Sequence, residues 1–371
     1  MKTKQSFFRI CPFRHILIVL SILIIALHLL LRSGKPQMKW ISQHVIRPLH
    51  RTLSVLTAGV PFSVAEFLIA LLVIGAIIYL VWQIIAMVLR PERLKRLYKT
   101  VITYLTAGLA IYAGFCLLWG TFYYGDDFIT ASGLKKEKIS VEQLSEVTEW
   151  FAEQANKWSE MVERDENGVY QADFRAILDR SDEVYALIEQ EYPCLEGPAI
   201  RAKSVFFSRI MSYLDFTGFF FPFTAEANVN TDTPSVYFAS TVAHELAHQR
   251  GVAKEQEANF AAVLASLEYG DADYCYSSCI LAYTHLGNAL YDADRERWEE
   301  IYGRLDETVL EDLKANREYW ARFETPVQKA SNTVYENFLY SYDQDLGLKS
   351  YGACVDLLVN YYYPLLQEKA S

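Results

Sequence analysis

The chain has 371 residues, of which 52% are hydrophobic and 14% aromatic, and this composition excludes an intrinsically disordered protein. Its charge is divided unevenly. Residues 1–124 carry 14 basic and 2 acidic side chains (+12), and residues 125–371 carry 21 basic and 43 acidic ones (−22), which sum to the net charge of −10. Because an acidic body repels polyanions, this charge distribution argues against nucleic acid as a partner.

Three apolar segments in the basic part predict membrane-spanning helices over residues 16–31, 67–89 and 101–123. A helix needs about 20 apolar residues to cross the hydrocarbon core, and the first segment reaches that length with its flanks. A cleaved signal peptide is the alternative for this segment. It is disfavoured because Arg32 and Lys35 follow the apolar run in place of a small-residue cleavage site. Residues 1–124 are therefore predicted to form a three-helix membrane region in contact with the lipid bilayer.

Basic residues are dense before the first span and between the second and third spans, which favours a cytoplasmic side for both regions. Four basic residues precede the first span, and residues 90–99 carry five more in ten positions. Three crossings then place the N-terminus in the cytoplasm and residues 125–371 outside it. The loop before the second span also holds five basic residues, over about twice that length. We expect residues 40–60 in this loop to form an amphipathic helix at the membrane interface.

Helical spacing of apolar residues continues through most of residues 125–371. It predicts helices over residues 140–158, 174–193 and 201–214, with a turn at residues 165–168. The aromatic segment 216–230 is interrupted by glycine and proline and favours extended structure, as the one good strand candidate of this domain. The predicted fold class is a membrane protein, mainly α-helical, with a small β element.

A metal-binding pattern lies in the next predicted helix. We expect Thr233 to cap this helix, Pro234 to occupy its first position and Gly251 to end it. The helix contains the sequence His244-Glu245-Leu246-Ala247-His248. Two histidines four residues apart project from one helix face and can bind one zinc ion, and Glu245 is placed to act as a general base on a zinc-bound water.

The third ligand distinguishes the classes of zinc peptidase. A metzincin would place it ten residues after His244, at Lys254, which cannot bind a cation while protonated. A gluzincin uses a glutamate of the following helix, where this chain offers both Glu255 and Glu257. We favour Glu255, because Asn259 one turn later can hydrogen-bond to a histidine ligand and orient its ring. Glu257 would then stabilise the helix N-terminus.

The segment HELAHQRGVAKEQEANFAAVLA resembles the signature of the uncharacterised bacterial membrane family catalogued as domain of unknown function 3810. The resemblance extends to PFSVAEFL at the second span, FPFTAEANVN before the motif helix and NTVYENFLYSYDQDLGLKSYGACVDLL near the C-terminus. The Glu-x-x-Ala-Asn element is also similar to that of the heat-shock and CAAX-prenyl membrane peptidases and of the ImmA/IrrE-type regulatory peptidases. These resemblances imply a zincin-like domain of the gluzincin type, with Asn259 in place of the aspartate of many such peptidases. Carried over by motif position, the ligands of Zn²⁺ are His244, His248 and Glu255, and the catalytic residue is Glu245.

Several further residues have more than one interpretation. Residues 223–230 would either hold a substrate as an edge strand or form an aromatic hairpin in the core or against the membrane surface. Arg250 would either bind a substrate carboxylate or lie solvated at the helix end, which we favour. The candidate oxyanion donors are Tyr283, His285, Tyr335 and Tyr351. Four cysteines in this domain permit disulfides: Cys194, Cys275, Cys279 and Cys354.

Two hypotheses follow from these patterns. The first is a membrane-anchored zinc metallopeptidase with an extracytoplasmic, mainly helical catalytic domain, which acts on a peptide or protein substrate such as an envelope component. The second is a non-catalytic zinc-binding interaction or sensor protein of the membrane. A structural zinc normally has four protein ligands, whereas three ligands and an additional Glu245 favour catalysis.

Overall fold

The computed structural model describes residues 10–134, 137–342 and 351–370, apart from the side chains of residues 351, 353, 369 and 370. Residues 1–9, with three of the N-terminal basic residues, and residues 343–350, within the C-terminal family motif, lie outside this description. The described helices are α1 (Pro12–Leu31), α2 (Lys35–Ile41), α3 (Arg47–Ala58), α4 (Val64–Leu89), α5 (Arg93–Phe115), α6 (Thr121–Tyr123), α7 (Phe128–Ser132), α8 (Val141–Ser159), α9 (Phe174–Asp179), α10 (Ile188–Glu191), α11 (Ser208–Tyr213), α12 (Phe238–Gln249), α13 (Glu255–Tyr269), α14 (Ala272–Ala293), α15 (Arg295–Tyr302), α16 (Glu307–Ala321), α17 (Pro326–Ser341) and α18 (Tyr351–Ala370). The described strands are β1 (Lys203–Ser204), β2 (Gly218–Phe221) and β3 (Glu226–Val229). The prediction of a mainly helical chain with a small β element is confirmed.

The chain divides into two compact units. The membrane unit contains the described residues up to 49, residues 64–125 and residues 222–224. The large unit contains residues 50–63, 126–221 and the described residues from 225 onwards. The segment 50–63, which connects the first two apolar helices along the chain, is therefore part of the large unit.

Three helices of the membrane unit are long and apolar enough to cross a bilayer, namely Pro12–Leu31, Val64–Leu89 and Arg93–Tyr123. They contain the three predicted spans and indicate a membrane protein. The third helix starts earlier than expected, because the loop before it is reduced to a few residues around Glu92, which has a left-handed backbone (φ 71°). Residues 93–99, predicted as loop, instead form the first turns of α5.

Residues 40–60, predicted as an amphipathic helix, are helical over most of their length. The π-helical turn Ser42–Ile46 joins α2 to α3. In α3, His50 and Ser54 are buried whereas Val55 and Leu56 are exposed, so the helix has one inward and one outward face.

In the large unit, α8 begins where the sequence predicts. The Ser140 hydroxyl accepts a hydrogen bond from the Gln143 N–H, and the Gln143 side chain accepts one from the Ser140 N–H, which together form a capping box. Val147 and Phe151 are completely buried in the core, where α8 packs against α14. The turn at residues 165–168 is also confirmed, with Gly168 at φ 76°.

The prediction of one continuous helix over residues 174–193 is wrong, because the helix that begins there ends with α9 at Asp179. The Arg180 guanidinium is ion-paired with Asp271 and Asp273, and the Ser181 hydroxyl donates to the Leu178 carbonyl and accepts from the Ala202 N–H. These bonds to other parts of the chain replace the next helical turn. A single 3₁₀ turn follows, and helix resumes only in the short α10.

The helix predicted over residues 201–214 is also shorter than expected, because its first part is strand β1. Lys203 pairs with Asn228 and Ser204 with Val229 in a parallel arrangement. Helix is confined to α11. Backbone pairing with a strand about 25 residues further along therefore overrides the local helical spacing.

The aromatic segment forms the predicted extended structure as two antiparallel strands, β2 and β3. The strand order is β1-β3-β2, so β3 is the central strand and is paired on both sides. Of the two alternatives for residues 223–230, the edge strand is consequently wrong, and the hairpin agrees with the antiparallel pairing of β2 and β3. In the described sheet the outer strands are β1 and β2.

The motif helix starts differently from the prediction. Pro234 is extended (ψ 150°) and precedes a 3₁₀ turn, so α12 begins at Phe238 and Thr233 is not its cap. The predicted end is confirmed, since Gly251 has φ 87° and reverses the chain towards α13. Lys254 precedes α13 and is ion-paired with Asp127, which caps α7 through the Thr130 N–H.

We predict that the Asp127–Lys254 pair stabilises the large unit in a pH-dependent way. Although burial raises it, the hydrogen bonds from Lys254 and Thr130 lower the pKa of Asp127 from 3.8 to about 2. The stabilisation is therefore present above pH 4 and is lost as the pH falls towards 2. Asp127→Asn keeps the cap but removes the charge, and should cost about 1–2 kcal/mol at pH 7 and less than about 0.5 kcal/mol near pH 2.

Thermal unfolding of the purified chain in detergent at both pH values measures this difference. Asp173→Asn, at the cap of α9, is the matched control because that carboxylate also accepts from a helical N–H. Equal melting temperatures of Asp127→Asn and wild type at pH 7 would contradict the prediction.

Candidate metal centre

Small side chains allow α12 to pack closely inside the large unit. Ala239, Ala243 and Ala247 are completely buried, and α12 contacts α13, α14, β2 and β3. The Tyr185 hydroxyl donates to the Ala243 carbonyl at 2.9 Å, which holds the middle of the helix. Because alanine leaves little distance between backbones, side chains of α12 and α13 can converge on one point.

Three of the predicted site residues converge in this way. The Glu255 Oε2 atom lies 3.2 Å from His244 Nε2 and 3.6 Å from His248 Nε2. One ligand atom from each of the three side chains lies within 4.8 Å of the other two. His244 and His248 come from the last turns of α12, and Glu255 is the first residue of α13. We call these three residues the His-His-Glu cluster.

The second nitrogen of each imidazole has a fixed role. His244 Nδ1 lies 2.7 Å from Asn259 Oδ1, and His248 Nδ1 lies 2.6 Å from the Val252 carbonyl oxygen. Since both oxygens accept, both Nδ1 atoms carry hydrogen, and the Nε2 atoms face Glu255. A carboxylate at this distance from Nε2 requires a cation between them, either a proton or a metal ion. The contact of Asn259 with a histidine is the one expected from the sequence.

The charges of the histidines and of Glu255 in the cluster shift one another's pKa values. Although burial lowers it, the Glu255 carboxylate raises the pKa of His248 to about 9. Burial by itself raises the pKa of Glu255, yet the neighbouring His248 charge and the hydrogen bond to His244 bring it well below its ordinary value. The three side chains therefore form an arrangement of one anion and two bases that attracts positive charge.

The donor set and its spacing fit a zinc ion. Two imidazoles and a carboxylate are common zinc ligands with bond lengths near 2.0–2.2 Å, so tetrahedral binding separates ligand atoms by about 3.4 Å. The two carboxylate–imidazole separations of 3.2 and 3.6 Å agree with this spacing. The second nitrogens are engaged by an amide and a backbone carbonyl, as is usual for histidines that bind metals. The roles of His244, His248 and Glu255 as ligands stay predictions.

Glu245 lies next to the cluster but is not part of it. It is 4% exposed, and its Oε2 atom has no hydrogen-bond partner within the part of the chain that the structure describes. A β-carbon on Gly218 of β2 would lie 2.6 Å from Glu245 Oε1, so the strand passes directly over this carboxyl group. Burial raises the pKa of Glu245 to about 7. This contact depends on the pairing of distant segments, and no local sequence pattern predicts it.

Glu257, the alternative third ligand, has other partners. Its Oε2 atom accepts a hydrogen bond of 2.6 Å from the Phe128 N–H, and its Oε1 atom lies 3.4 Å from the Lys254 ammonium group. It therefore serves the N-terminal end of α7, not that of its own helix. The structure places Glu255 and not Glu257 beside the histidines.

One of the four candidate oxyanion donors contacts the cluster directly, and a second, His285, is influenced by the charge of His244. The Tyr335 hydroxyl donates to Glu255 Oε1 at 2.8 Å. Burial and then the charge of His244 lower the pKa of His285 to about 4, so this imidazole is neutral at pH 7 and near His244. Tyr283 packs beside Gly287 and Trp298, away from these contacts, and the side chain of Tyr351 is outside the described residues.

An apolar groove adjoins the cluster at Tyr335. It has a volume of about 700 Å³ and lies between α17 and the segment that follows α11. Its lining is almost entirely hydrophobic: Leu214, Phe216, Pro326, Val327, Ala330, Ser331, Val334, Tyr335 and Phe338. Tyr335 thus contributes to the groove wall and to the hydrogen bonding of Glu255.

The interpretation of Arg250 as a solvated cation is wrong. Only 4% of the residue is exposed, and its guanidinium carbon lies 4.4 Å from the centre of the Tyr185 ring. Its side chain fills the space beside Gly197, where a β-carbon would come within 2.7 Å of it. A cation stacked on a buried aromatic ring stabilises packing, and this position is not one that a substrate carboxylate reaches.

Three cysteines of the large unit are buried thiols. No disulfide joins Cys275, Cys279 or Cys354, and burial raises the pKa of Cys354 to about 12. Cys275 donates to the Ser266 carbonyl oxygen at 3.3 Å. Protonated thiols are poor ligands, so these three residues do not extend the His-His-Glu cluster.

We predict that the purified full-length chain binds one zinc ion and that His248→Ala and Glu255→Gln abolish this binding. Each substitution removes one of three ligands. Glu257→Gln is the matched control and should retain zinc, because Glu257 contacts Phe128 and Lys254. Asn259→Ala should weaken binding about 10- to 100-fold, since it frees the His244 ring.

Zinc content by elemental analysis and affinity by chelator competition measure these effects. Loss of zinc in Glu257→Gln with retention in Glu255→Gln would contradict the assignment of the third ligand.

A family model described as "Protein of unknown function (DUF3810)" matches residues 41–359. The match covers most of the chain, including the second and third spans and the His-His-Glu cluster. No curated protein and no solved structure matches the chain.

Proposed function

The chain belongs to the family described as "Protein of unknown function (DUF3810)", and we propose that it is a membrane-anchored, zinc-dependent metallopeptidase of the gluzincin type. The observation that carries this proposal is the geometry around α12. Three zinc-type ligands converge within 4.8 Å, and the buried Glu245 carboxyl group beside them has an oxygen with no hydrogen-bond partner among the described residues. A structural zinc site has no need of such a group.

In this mechanism His244, His248 and Glu255 would hold the metal. When bound, zinc supplies a Lewis acid that polarises a carbonyl group and acidifies water. Glu245 accepts a proton from the attacking water at Oε2 and passes it to the nitrogen of the departing amine. Its buried position favours this exchange, because the Oε2 atom has no hydrogen-bond partner among the described residues and is open to accept a proton.

The substrate would be positioned by β2. Because β3 is paired on both sides, the outer strand next to α12 is β2, and an extended peptide can add to an outer strand by backbone hydrogen bonds. Gly218 on this strand lies against Glu245, so a peptide on β2 would pass close to the general base. This proposal replaces the edge-strand role that the sequence assigned to residues 223–230.

Two side chains can stabilise the negative charge that develops on the carbonyl oxygen. Tyr335 presents a hydroxyl at Glu255, and His285 presents a neutral imidazole near His244. Both are donors of the type found in oxyanion sites. The Tyr335 hydroxyl would exchange its bond to Glu255 for one to the substrate.

The large unit is proposed to lie outside the cytoplasm. Lys203 donates to the Thr57 carbonyl at 2.7 Å and Ser63 to Asn228 Oδ1 at 2.6 Å, and these bonds support a topology in which the segment before the second span and the domain after the third share one side of the bilayer. An even number of crossings must separate them, which α4 and the helix 93–123 provide. The basic residues at positions 90–99 then favour the cytoplasm for the opposite side.

We predict that a cysteine at Glu300 reacts with a membrane-impermeant maleimide in intact cells, whereas a cysteine at Pro91 reacts only after permeabilisation. Both positions are exposed on the protein surface. The ratio of maleimide labelling at positions 300 and 91 shows on which side of the membrane the domain lies, independently of any enzymatic activity. The reverse pattern would place the domain in the cytoplasm and overturn the proposed orientation.

We predict that Glu245→Gln keeps one zinc per chain and lowers peptide hydrolysis by about 10²- to 10⁴-fold, the contribution expected of a general base. The assay uses a mixture of internally quenched peptides with the full-length chain in detergent. Glu268→Gln, on the exposed side of α13, is the matched control and should hydrolyse as wild type does.

A Glu245→Gln variant as active as wild type would eliminate the proposed mechanism. A wild-type chain that binds zinc through four protein ligands, as seen by X-ray absorption, and hydrolyses none of the peptides would instead support a structural or sensor site.

A further inference from the structure

The segment at α11 exposes large apolar side chains on the surface of the large unit. The exposed fractions are 85% for Phe206, 47% for Phe207, 55% for Ile210 and 44% for Tyr213. Phe207, Ile210 and Tyr213 are three residues apart, which places them along one side of the short helix. Contiguous exposed aromatic and aliphatic groups on a protein surface mark a binding surface.

A second exposed apolar set belongs to the same unit and comes from the segment before the second span. Val55 is 60% exposed, Leu56 70% and Phe62 55%. This segment is attached to the sheet by a buried ion pair. The Lys203 ammonium group lies 2.6 Å from Glu226 Oε1 and donates to the carbonyl oxygens of Thr57 at 2.7 Å and Phe62 at 3.3 Å.

Lys203 connects the two sets in space. Phe206 follows Lys203 by three residues, so their backbones are at most about 10 Å apart. Lys203 itself is bonded to the Phe62 carbonyl. Lys203 thus links residue 62 to the segment that carries residues 206–213, and we call the exposed side chains of residues 55–62 and 206–213 together the α11 surface.

The chain joins the α11 surface directly to a helix that is able to cross a bilayer. Phe62 precedes Val64 by two residues, and Val64 is the first residue of α4, one of the three helices able to cross a bilayer. Phe62 is thus within about 7 Å of the start of that helix. Because Phe62 is joined through Ser63 to a helix able to cross a bilayer, a bilayer is the occupant that we infer for the α11 surface.

We propose that the α11 surface inserts its apolar side chains into the interfacial layer of the same bilayer that the three helices cross. Aromatic residues are favoured at this depth, and interfacial elements bury their apolar face about 5–10 Å into the headgroup and acyl boundary.

Apolar side chains, and not charged groups, are expected to hold the α11 surface in the bilayer. Arg209, beside the exposed set, is ion-paired with Asp232 at 3.1 Å, and Arg51 is ion-paired with Glu196 at 3.2 Å. Both of these guanidinium groups therefore have a carboxylate partner within the protein. Binding should consequently occur equally on neutral and anionic lipids. The proposal does not depend on the zinc site or on hydrolysis.

The test uses the full-length chain, one copy per nanodisc of phosphatidylcholine, with an NBD fluorophore on Phe206→Cys or Ile210→Cys. Cys194→Ser is included throughout, because Cys194 is the partly exposed thiol of the large unit. The matched control is Met161→Cys after α8, which is 58% exposed. Phe206, at 85% exposed, tolerates substitution without unfolding the domain.

Lipids with a nitroxide high on the acyl chain should quench NBD at residues 206 and 210 at least about two-fold more than at residue 161. Adding phosphatidylglycerol should leave this ratio unchanged. Phe206→Glu should reduce the quenching at residue 210 to the control level while circular dichroism stays that of wild type.

Equal quenching at residues 206 and 161 would overturn the proposal. Quenching that occurs only with phosphatidylglycerol would overturn its apolar basis. NBD at residues 206 and 210 could also be shielded from water in detergent and become exposed when each nanodisc holds one chain. That result would assign the surface to a second copy of the chain instead.

Discussion

The large unit is arranged around carboxyl groups that are held out of water. Glu245, Glu255 and Glu257 lie at the junction of α12 and α13. Removing an ionised carboxylate from water is expensive unless a cation or hydrogen-bond donors replace the solvent. Glu257 receives a backbone N–H and the Lys254 ammonium group, and Glu255 receives two imidazoles and a tyrosine hydroxyl. Glu245 alone has an oxygen without such a partner among the described residues, and it is the group with a proposed role in proton transfer.

The turn between α12 and α13 satisfies several of these requirements at once. Gly251 adopts a left-handed backbone, and this conformation returns the chain so that the Val252 carbonyl reaches His248. Lys254 then lies between Asp127 and Glu257 and fixes the first residue of α13. Since Glu255 follows Lys254 directly, the bend that ends one helix also determines the distance between the two imidazoles and the third proposed ligand.

Features that depend on neighbouring residues could be predicted from the sequence. The three apolar helices, the start of α8 near residue 140, the end at Gly251 and the contact of Asn259 with a histidine all follow from spacing within a few residues. Glu255 was favoured over Glu257 on such local grounds, and the structure places Glu255 beside the histidines. Its role as a ligand stays a prediction.

Features that depend on distant segments could not be predicted. Strand β1 exists because it pairs with β3, and that pairing makes β3 central and excludes it as an edge. The breaks around Ser181 arise from bonds to residues far along the chain. Arg250 is buried because Tyr185 offers it an aromatic face. No periodicity within a single segment contains this information.

Tyr335 connects the apolar groove with the His-His-Glu cluster. Its side chain lines the groove, and its hydroxyl donates a hydrogen bond to Glu255. A molecule that fills the groove and moves this ring would change the hydrogen bonding of a proposed zinc ligand. Thermodynamic linkage makes such an effect reciprocal: whatever factor the groove ligand imposes on metal affinity, the metal imposes on the groove ligand. If the cluster holds a metal and the groove holds a ligand, the affinity of each site would depend on whether the other is occupied.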